Sequence, residues 1–374
     1  MLVLAACAPA PSVPAPAATA PAAPAAVADR GALLHSEPGA DGRTTIRYRS
    51  TSGIDGTATE VGGTVFVPPG APPPGGWPIV TFGHGTTGVT DECAPSRHPN
   101  LLGAINAVRQ VLQRGYVAVV TDYQGLGTDG PHPYLEPRSA GFNLIDAVRA
   151  ARAVVPAASN RWAALGISQG GQASWAAAEL AGSYGDGLDF VGSASISPPT
   201  DLTPVVPSDD RVALTVVQLM FLPVLLEGLA VLHPELDRSA YVNGVLLDER
   251  DVLLACTEPL KGRKLTVGSI VSSDNVKPRT AADRERIRSW LTELALPRER
   301  AAGPMLVLAG NRDPLVLADW TTESVAKACA KGSTVEFSVR PEGHADGRAT
   351  PVALDWIGQR FGGAPARSTC AAAS

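Results

Sequence analysis

The chain has 374 residues, of which 45% are hydrophobic and 18% charged, so it can bury a core large enough for one big domain or two ordinary ones. A net charge of −5 and a sequence pI near 5.7 argue against a surface that binds phosphates, and no basic stretch carries interleaved aromatic residues. Composition therefore excludes a wholly disordered chain and argues against nucleic acid as a partner.

Residues 1–29 differ from the rest: an apolar start leads to Leu-Ala-Ala-Cys7, and residues 8–28 are almost entirely Ala and Pro. The four residues ending at Cys7 resemble the lipobox of bacterial lipoproteins, in which the cysteine is lipidated. A charged region before it is missing and the apolar run is short, which a start codon assigned too far downstream would explain. We expect a processed leader, an Ala/Pro spacer and membrane attachment through Cys7. The alternative is an Ala-rich disordered N-terminus with a chance cysteine.

Beyond this leader, short apolar runs alternate with helical patterns. An antiparallel pair is predicted at residues 44–48 and 60–67. Further strands are predicted at residues 77–82, 116–120, 162–167, 190–196, 305–309 and 334–339. Helices are predicted at residues 101–114, 140–155, 172–180, 320–331 and 351–361. This alternation is typical of the α/β class, with a mostly parallel central sheet and helices on both faces.

The alternation stops between residues 198 and 300, which predicts an insertion between two parts of one core, 30–197 and 301–374. Its most apolar run begins at Val212 and ends at Leu232, long enough to span a membrane. Gln218, Pro223 and Glu227 interrupt the run, and it lies between two halves of one sheet. We therefore predict a mainly helical cap that shapes a substrate pocket, although simple core packing of the insertion accounts for the same pattern.

The pentapeptide Gly166-Ile-Ser168-Gln-Gly170 lies between a predicted strand and a predicted helix. A G-x-S-x-G sequence in that context is typical of a nucleophile elbow, in which glycines two before and two after the serine allow a tight turn. Glycine abundance alone could produce the pattern, but the strand and helix around it favour Ser168 as a nucleophile.

A nucleophilic serine needs a histidine base and an acid that orients the base, each on a loop at a strand end. His344 follows the strand predicted last and is favoured over His233, which lies inside the insertion. Asp313 follows the strand at 305–309 and is favoured as the acid; Asp201, after the preceding strand, competes with it. Asp346 is interpreted as a solvated loop carboxylate.

An oxyanion site needs two backbone N–H groups near the serine. Gln169, the residue after Ser168, supplies one. The Gly-rich turn Gly83-His84-Gly85-Thr86 supplies the other, for which we choose Thr86. His84 precedes the serine in the chain and is interpreted as packing under that turn rather than as a base.

Four further cysteines, Cys93, Cys256, Cys329 and Cys370, show no C-x-x-C spacing and no nearby histidine at metal-ligand spacing, so no metal site is predicted. An even number in an exported chain predicts two disulfides. Three pairings are allowed, and we favour Cys93 with Cys256 and Cys329 with Cys370. Free thiols in a cytosolic enzyme are the alternative.

Three segments together resemble the secretory lipase family of α/β-hydrolases: Gly83-His-Gly-Thr86, Thr121-Asp-Tyr-Gln-Gly-Leu-Gly127 with the following Pro131-His-Pro-Tyr134-Leu, and Gly166-Ile-Ser-Gln-Gly-Gly171. The resemblance covers residues 40–362. It implies an α/β-hydrolase fold, ester hydrolysis without a cofactor, and an acyl-binding cap inserted after the sixth strand. The family's nucleophile, acid and base correspond to Ser168, Asp313 and His344.

The sequence thus predicts an extracellular or surface-anchored serine carboxylic-ester hydrolase that acts on an acyl ester. It implies no protein partner. A serine peptidase or acyltransferase on the same fold has the same motifs and stays an alternative. So does a catalytically silent, surface-anchored binding protein.

Overall fold

The computed structural model describes residues 29–206, 214–276 and 278–370. These ranges include all of the strands and helices predicted for the core and most of the predicted insertion. The predicted leader with Cys7 and the start of the apolar run at Val212 lie outside the described residues.

The core is a nine-stranded sheet in the order β1-β2-β3-β5-β4-β6-β7-β8-β9. The strands are β1 Leu33–Pro38, β2 Arg43–Thr51, β3 Ala58–Phe66, β4 Trp77–Gly83, β5 Val117–Thr121, β6 Ala158–Ile167, β7 Asp189–Ile196, β8 Met305–Gly310 and β9 Val335–Arg340. Pairing is antiparallel from β1 through β3 to β5, and parallel from β5 to β9. The carboxyl ends of six parallel strands therefore meet at one edge of the sheet.

Helices cover both faces of this sheet. The core helices are α1 Ile105–Gln113, α2 Pro137–Val154, α3 Gln169–Tyr184, α9 Ala318–Ala330 and α10 Ala349–Phe361. On β5, Val117 and Val119 pack in the cluster that contains α2, whereas Ala118 and Val120 pack with α1 and α10. This alternation of side chains places α1 and α10 on the face opposite α2 and α3.

In the described part of the chain between β7 and β8, where the insertion was predicted, there are five α-helices. They are α4 Val216–Leu232, α5 Val245–Asp248, α6 Arg250–Leu254, α7 Lys264–Gly268 and α8 Ala281–Leu294. Their buried side chains form an apolar cluster of their own, to which Tyr134 and Leu135 of the core also belong. We call this group of helices the cap.

Two disulfides have the pairing favoured on the sequence. Cys93 pairs with Cys256 across 163 residues, joining the segment after β4 to the end of α6 in the cap. Cys329, in α9, pairs with Cys370. The first disulfide therefore ties the cap to the core, and the second ties the end of the described chain to a core helix.

Among the described residues, no helix has both the length and the apolar character needed to cross a bilayer. Glu227 of α4 forms ion pairs with Arg238 at 2.6 Å and with Arg250 at 2.7 Å. This carboxylate lies within the apolar run that the sequence assigned to the cap.

The structure differs from the sequence predictions at two places. Strand β1 was not predicted, and with it the cap follows the seventh strand rather than the sixth. The helix predicted at residues 101–114 begins only at Ile105, because Leu102 and Gly103 have φ of 50° and 109° and form a tight turn first.

Candidate active site

Ser168 lies in a sharp turn between β6 and α3. Its backbone has φ 56° and ψ −121°, a combination that L-residues rarely adopt. Its N–H donates to the Ile196 carbonyl at 2.8 Å. Gly166 and Gly170 make the turn possible, because a Cβ at either would lie 1.8 Å from a backbone oxygen, that of Gly170 or of Gly83. The turn holds the serine at the carboxyl edge of the sheet, as a nucleophile elbow requires.

The loops after β8 and β9 approach each other closely. Arg312 N–H donates to the Glu342 carbonyl at 3.0 Å. Gly310 allows the approach, since a Cβ there would lie 2.4 Å from the same carbonyl oxygen. Asp313 and His344, one on each loop, are thereby brought within reach of each other.

Ser168, His344 and Asp313 form one chain of hydrogen bonds. His344 Nδ1 lies 2.7 Å from Asp313 Oδ2, and His344 Nε2 lies 2.9 Å from Ser168 Oγ. Because a carboxylate only accepts, Nδ1 carries the proton and Nε2 accepts from the serine hydroxyl. The other carboxylate oxygen accepts from the N–H groups of Leu315 and Val316 at 2.9 and 3.0 Å. The fully buried acid is thus held in one orientation towards the histidine.

The other acids and the other histidine considered for the site have different partners. Asp201 pairs with Lys327 at 3.1 Å. His233 lies in the cap against Trp290, with ring centroids 4.4 Å apart. Asp346 is on the His344 loop, where a side-chain hydrogen bond from the arginine two residues on lowers its pKa to about 2.

Two backbone N–H groups near Ser168 are available to a ligand. Gln169 is the first residue of α3, so its N–H has no intrahelical acceptor. The Thr86 N–H, in the turn after β4, makes no hydrogen bond to a residue that the structure describes. This turn is close to the serine, because a Cβ on Gly85 would lie 3.7 Å from Ser168 Cβ. These are the two N–H groups that the sequence predicted for an oxyanion.

A narrow apolar pocket opens onto Ser168 between the core and the cap. Tyr134 and Val316 line its core side. The side towards the cap consists of Leu202, Val205, Gln218, Phe221, Leu222 and Leu225. Four of these six belong to the region from Val212 to Leu232 that was predicted to shape a substrate pocket.

Sequence reasoning missed two polar contacts at the site. The Tyr134 hydroxyl lies 2.7 Å from Thr86 Oγ1, and His132 Nε2 lies 2.9 Å from Gln169 Nε2. Both residues belong to the Pro131-His-Pro-Tyr134 segment that supported the family resemblance. Spacing alone gave no sign of what their side chains contact, because the segment is an irregular loop.

The mostly parallel sheet, the strained serine and the Ser168–His344–Asp313 geometry define the class of the protein as an α/β-hydrolase. Within that class, the chain belongs to the secretory lipase family, whose model matches residues 104–369. This range contains all three residues of the hydrogen-bond chain but begins after the turn that carries Thr86.

A Mycobacterium tuberculosis protein described as a probable inactive lipase is 30% identical over 174 residues, a match that covers 42% of this chain and 37% of that protein. The matched part is thus well under half of that relative's length.

Two solved structures share the fold at lower identity. Candida antarctica lipase A in its closed state has a TM-score of 0.70 and 20% identity, over 91% of this chain and 84% of that one. A ligand-bound form of the rice cell wall degrading esterase LipA from Xanthomonas oryzae has a TM-score of 0.67 and 20% identity, over 88% and 96% of the two chains.

Proposed function

We propose that the protein is a serine carboxylic-ester hydrolase that cleaves acyl esters through an acyl-enzyme on Ser168. The observation that carries this proposal is the unbroken chain of hydrogen bonds from Ser168 Oγ through His344 to the buried Asp313, at 2.9 and 2.7 Å. A serine hydroxyl becomes an effective nucleophile when a positioned base accepts its proton.

In the proposed reaction, Ser168 Oγ attacks the ester carbonyl while its proton passes to His344 Nε2. The resulting oxyanion accepts from the N–H groups of Gln169 and Thr86. When the tetrahedral intermediate collapses, His344 gives the proton to the departing alcohol, and it then activates the water that releases the acid. Asp313 fixes the imidazole tautomer and stabilises the imidazolium throughout. The residues supply every proton transfer, so the proposal needs no cofactor.

The pocket beside Ser168 favours an acyl group as the part of the substrate that it holds. Its walls are leucine, valine, proline and aromatic side chains, with Gln218 as the polar exception besides Ser168 and the Tyr134 hydroxyl. Burying an apolar chain there gains about 0.8 kcal/mol for each methylene group. A polar peptide backbone would find few hydrogen-bond partners in such a pocket, which favours an ester hydrolase over a peptidase.

The domain organisation that goes with this function is a hydrolase core at 30–197 and 301–374 with a substrate-binding cap at 198–300. Family membership and the two disulfides support an extracellular location. Lipidation of Cys7 would add attachment to the cell surface, and it concerns a residue outside the described ones.

Steady-state hydrolysis of p-nitrophenyl butyrate, compared with an aminoacyl p-nitroanilide, tests the proposal. We expect turnover of the ester, far slower turnover of the amide, and a loss of at least about 10³-fold in kcat for Ser168→Ala. Ser183→Ala, an exposed serine in the same helix, is the matched control and should keep wild-type rates. Turnover by wild-type protein would also exclude a silent binding protein. Ester turnover that survives Ser168→Ala would contradict the proposal.

A further inference from the structure

The proposed mechanism gives no chemical step to four buried aromatic side chains next to the two N–H donors, one of which, Tyr134, also lines the pocket. They are His84, in the turn that carries Thr86, and Tyr123, His132 and Tyr134. The last three belong to residues 122–134, which follow β5 and which we call the β5 loop. Buried polar atoms are costly unless they are hydrogen-bonded, so the partners of these side chains indicate what the loop does.

His84 fixes the peptide group that contains the Thr86 N–H. Its Nδ1 lies 2.7 Å from the Gly85 carbonyl oxygen, whereas Nε2 lies 3.4 Å from the Asp122 carbonyl oxygen, so the single proton of the neutral ring is on Nδ1. Burial lowers the pKa of His84 to about 4, so the ring stays neutral at ordinary pH. In a trans peptide the C=O and the next N–H point in opposite directions. Holding the Gly85 oxygen towards His84 therefore turns the Thr86 N–H away from it.

Two tyrosines of the β5 loop hold the same turn. The Tyr123 hydroxyl donates to the His84 carbonyl at 3.2 Å, and its ring lies against the His84 ring. The Tyr134 hydroxyl lies 2.7 Å from Thr86 Oγ1. Burial raises the pKa of Tyr134 to about 12, so this hydroxyl remains protonated. The Thr86 side chain is thereby fixed directly beside the N–H that would bind an oxyanion.

The other donor residue, Gln169, is held by His132. The Nδ1 atom of His132 lies 2.8 Å from the Gln124 carbonyl oxygen and so carries the proton. This leaves Nε2 to accept from the Gln169 side-chain amide at 2.9 Å. Burial lowers the pKa of His132 to about 4, which keeps Nε2 an acceptor. The first residue of α3 is thus tied to the β5 loop.

We propose that the β5 loop positions both oxyanion donors, with Tyr134 acting on Thr86 and His132 acting on Gln169. This inference rests on the proposed function. The loop residues are positioning residues, because they touch the donor residues rather than the reacting atoms. They hold two donors from separate elements, the turn after β4 and the start of α3, in one site before the substrate binds.

The test compares conservative variants in the hydrolysis of p-nitrophenyl butyrate and in covalent trapping by a p-nitrophenyl alkylphosphonate, which forms a tetrahedral adduct. Tyr134→Phe keeps the ring, Thr86→Val keeps the branched shape, and His132→Phe keeps a flat buried ring. Each should lower kcat and the trapping rate at least about tenfold with KM changed by less than about threefold. Thr86→Ser, which keeps the hydroxyl, should retain most of the activity.

The double variant Tyr134→Phe/Thr86→Val should lose no more activity than either single variant, because both remove the same hydrogen bond. Tyr116→Phe, at a tyrosine packed against Phe361, is the matched control and should be unchanged. Additive losses, or kcat and trapping rates within about twofold of wild type for Tyr134→Phe and Thr86→Val, would overturn the proposal. The proposal would also be overturned if a lower melting temperature alone accounted for the losses of kcat and trapping rate. If Ser168→Ala also keeps full turnover, the proposed function itself fails.

Discussion

Ser168 has a backbone conformation that costs on the order of 1–3 kcal/mol and is tolerated because its surroundings leave no alternative. Gly166 and Gly170 contribute most directly, since any side chain at either position would overlap backbone atoms. The strain keeps the hydroxyl at the edge of the sheet, where His344 reaches it. The site therefore depends on glycines that let backbone segments lie close together, as much as on the polar side chains themselves.

Asp313 and Asp201 can be distinguished as the acid of the site by replacing each with asparagine. Asp313→Asn keeps the shape of the side chain but no longer stabilises the imidazolium or selects the right tautomer, so kcat should fall about 10³–10⁴-fold with little change in KM. Asp201→Asn is the matched control, because Asp201 pairs with Lys327 instead. Steady-state kinetics on a soluble ester measures both. Equal losses for the two variants would contradict the assignment.

Ser168, Asp313 and His344 could be predicted from the sequence because each stands at the end of an apolar strand, and parallel strands end at one edge. Tyr134 and His132 could not, because they lie in an irregular loop where no periodicity fixes a side-chain direction.

Among the elements, helix α4 contributes side chains to two apolar spaces, the pocket between the core and the cap and a second cavity within the cap. The pocket at Ser168 and the second, small apolar cavity share Val205, Leu222 and Leu225 as lining residues. These three side chains therefore form a wall that limits the depth of the first pocket.

We predict that Leu222→Ala opens this wall and shifts the enzyme towards longer acyl chains. Each methylene that enters the second cavity should raise kcat/KM by about fourfold, from about 0.8 kcal/mol of burial. The measurement is the ratio of kcat/KM for long and short p-nitrophenyl esters, with melting temperature followed in parallel.

Leu226→Ala is the matched control, since Leu226 lines only the second cavity. It makes a similar void without opening the wall and should leave the chain-length profile unchanged. The same shift in both variants, or none in Leu222→Ala, would show that the wall does not limit chain length.

At the level of elements, the alternating core was predictable because several of its parallel strands, such as β5 and β8, are short apolar runs. Strand β1 was not predicted because it is an edge strand with mostly exposed side chains, including His35 and Glu37. In the cap, an almost unbroken apolar run gave no period from which helix bounds could be read, and Pro223 lies inside α4 rather than ending it.

For the molecule as a whole, two carboxyls buried in the core make stability depend on pH. Burial raises the pKa of Asp122 and of Asp146 from 3.8 to about 6, despite hydrogen bonds to each from neighbouring side chains. Both bind a proton more tightly in the folded than in the unfolded chain. Their contribution to stability is therefore greatest below about pH 4 and is lost as the pH rises through about 6.

Asp146→Asn should remove one of these contributions. As the pH is raised from about 4 to about 7, the variant should gain on the order of 2 kcal/mol in unfolding free energy relative to wild type, from a shift of about two pKa units. Urea unfolding across this pH range measures the difference. A difference that is independent of pH, or that moves in favour of the wild type, would contradict the pKa shift.

If Ser168 is an activated nucleophile, it should react covalently with a fluorophosphonate. An activated Ser168 should give one adduct per chain, located on Ser168 by peptide mass spectrometry, and none in Ser168→Ala, while Ser183→Ala should label like the wild type. Labelling that persists in Ser168→Ala, or an adduct on another residue, would contradict the role of Ser168 as the nucleophile.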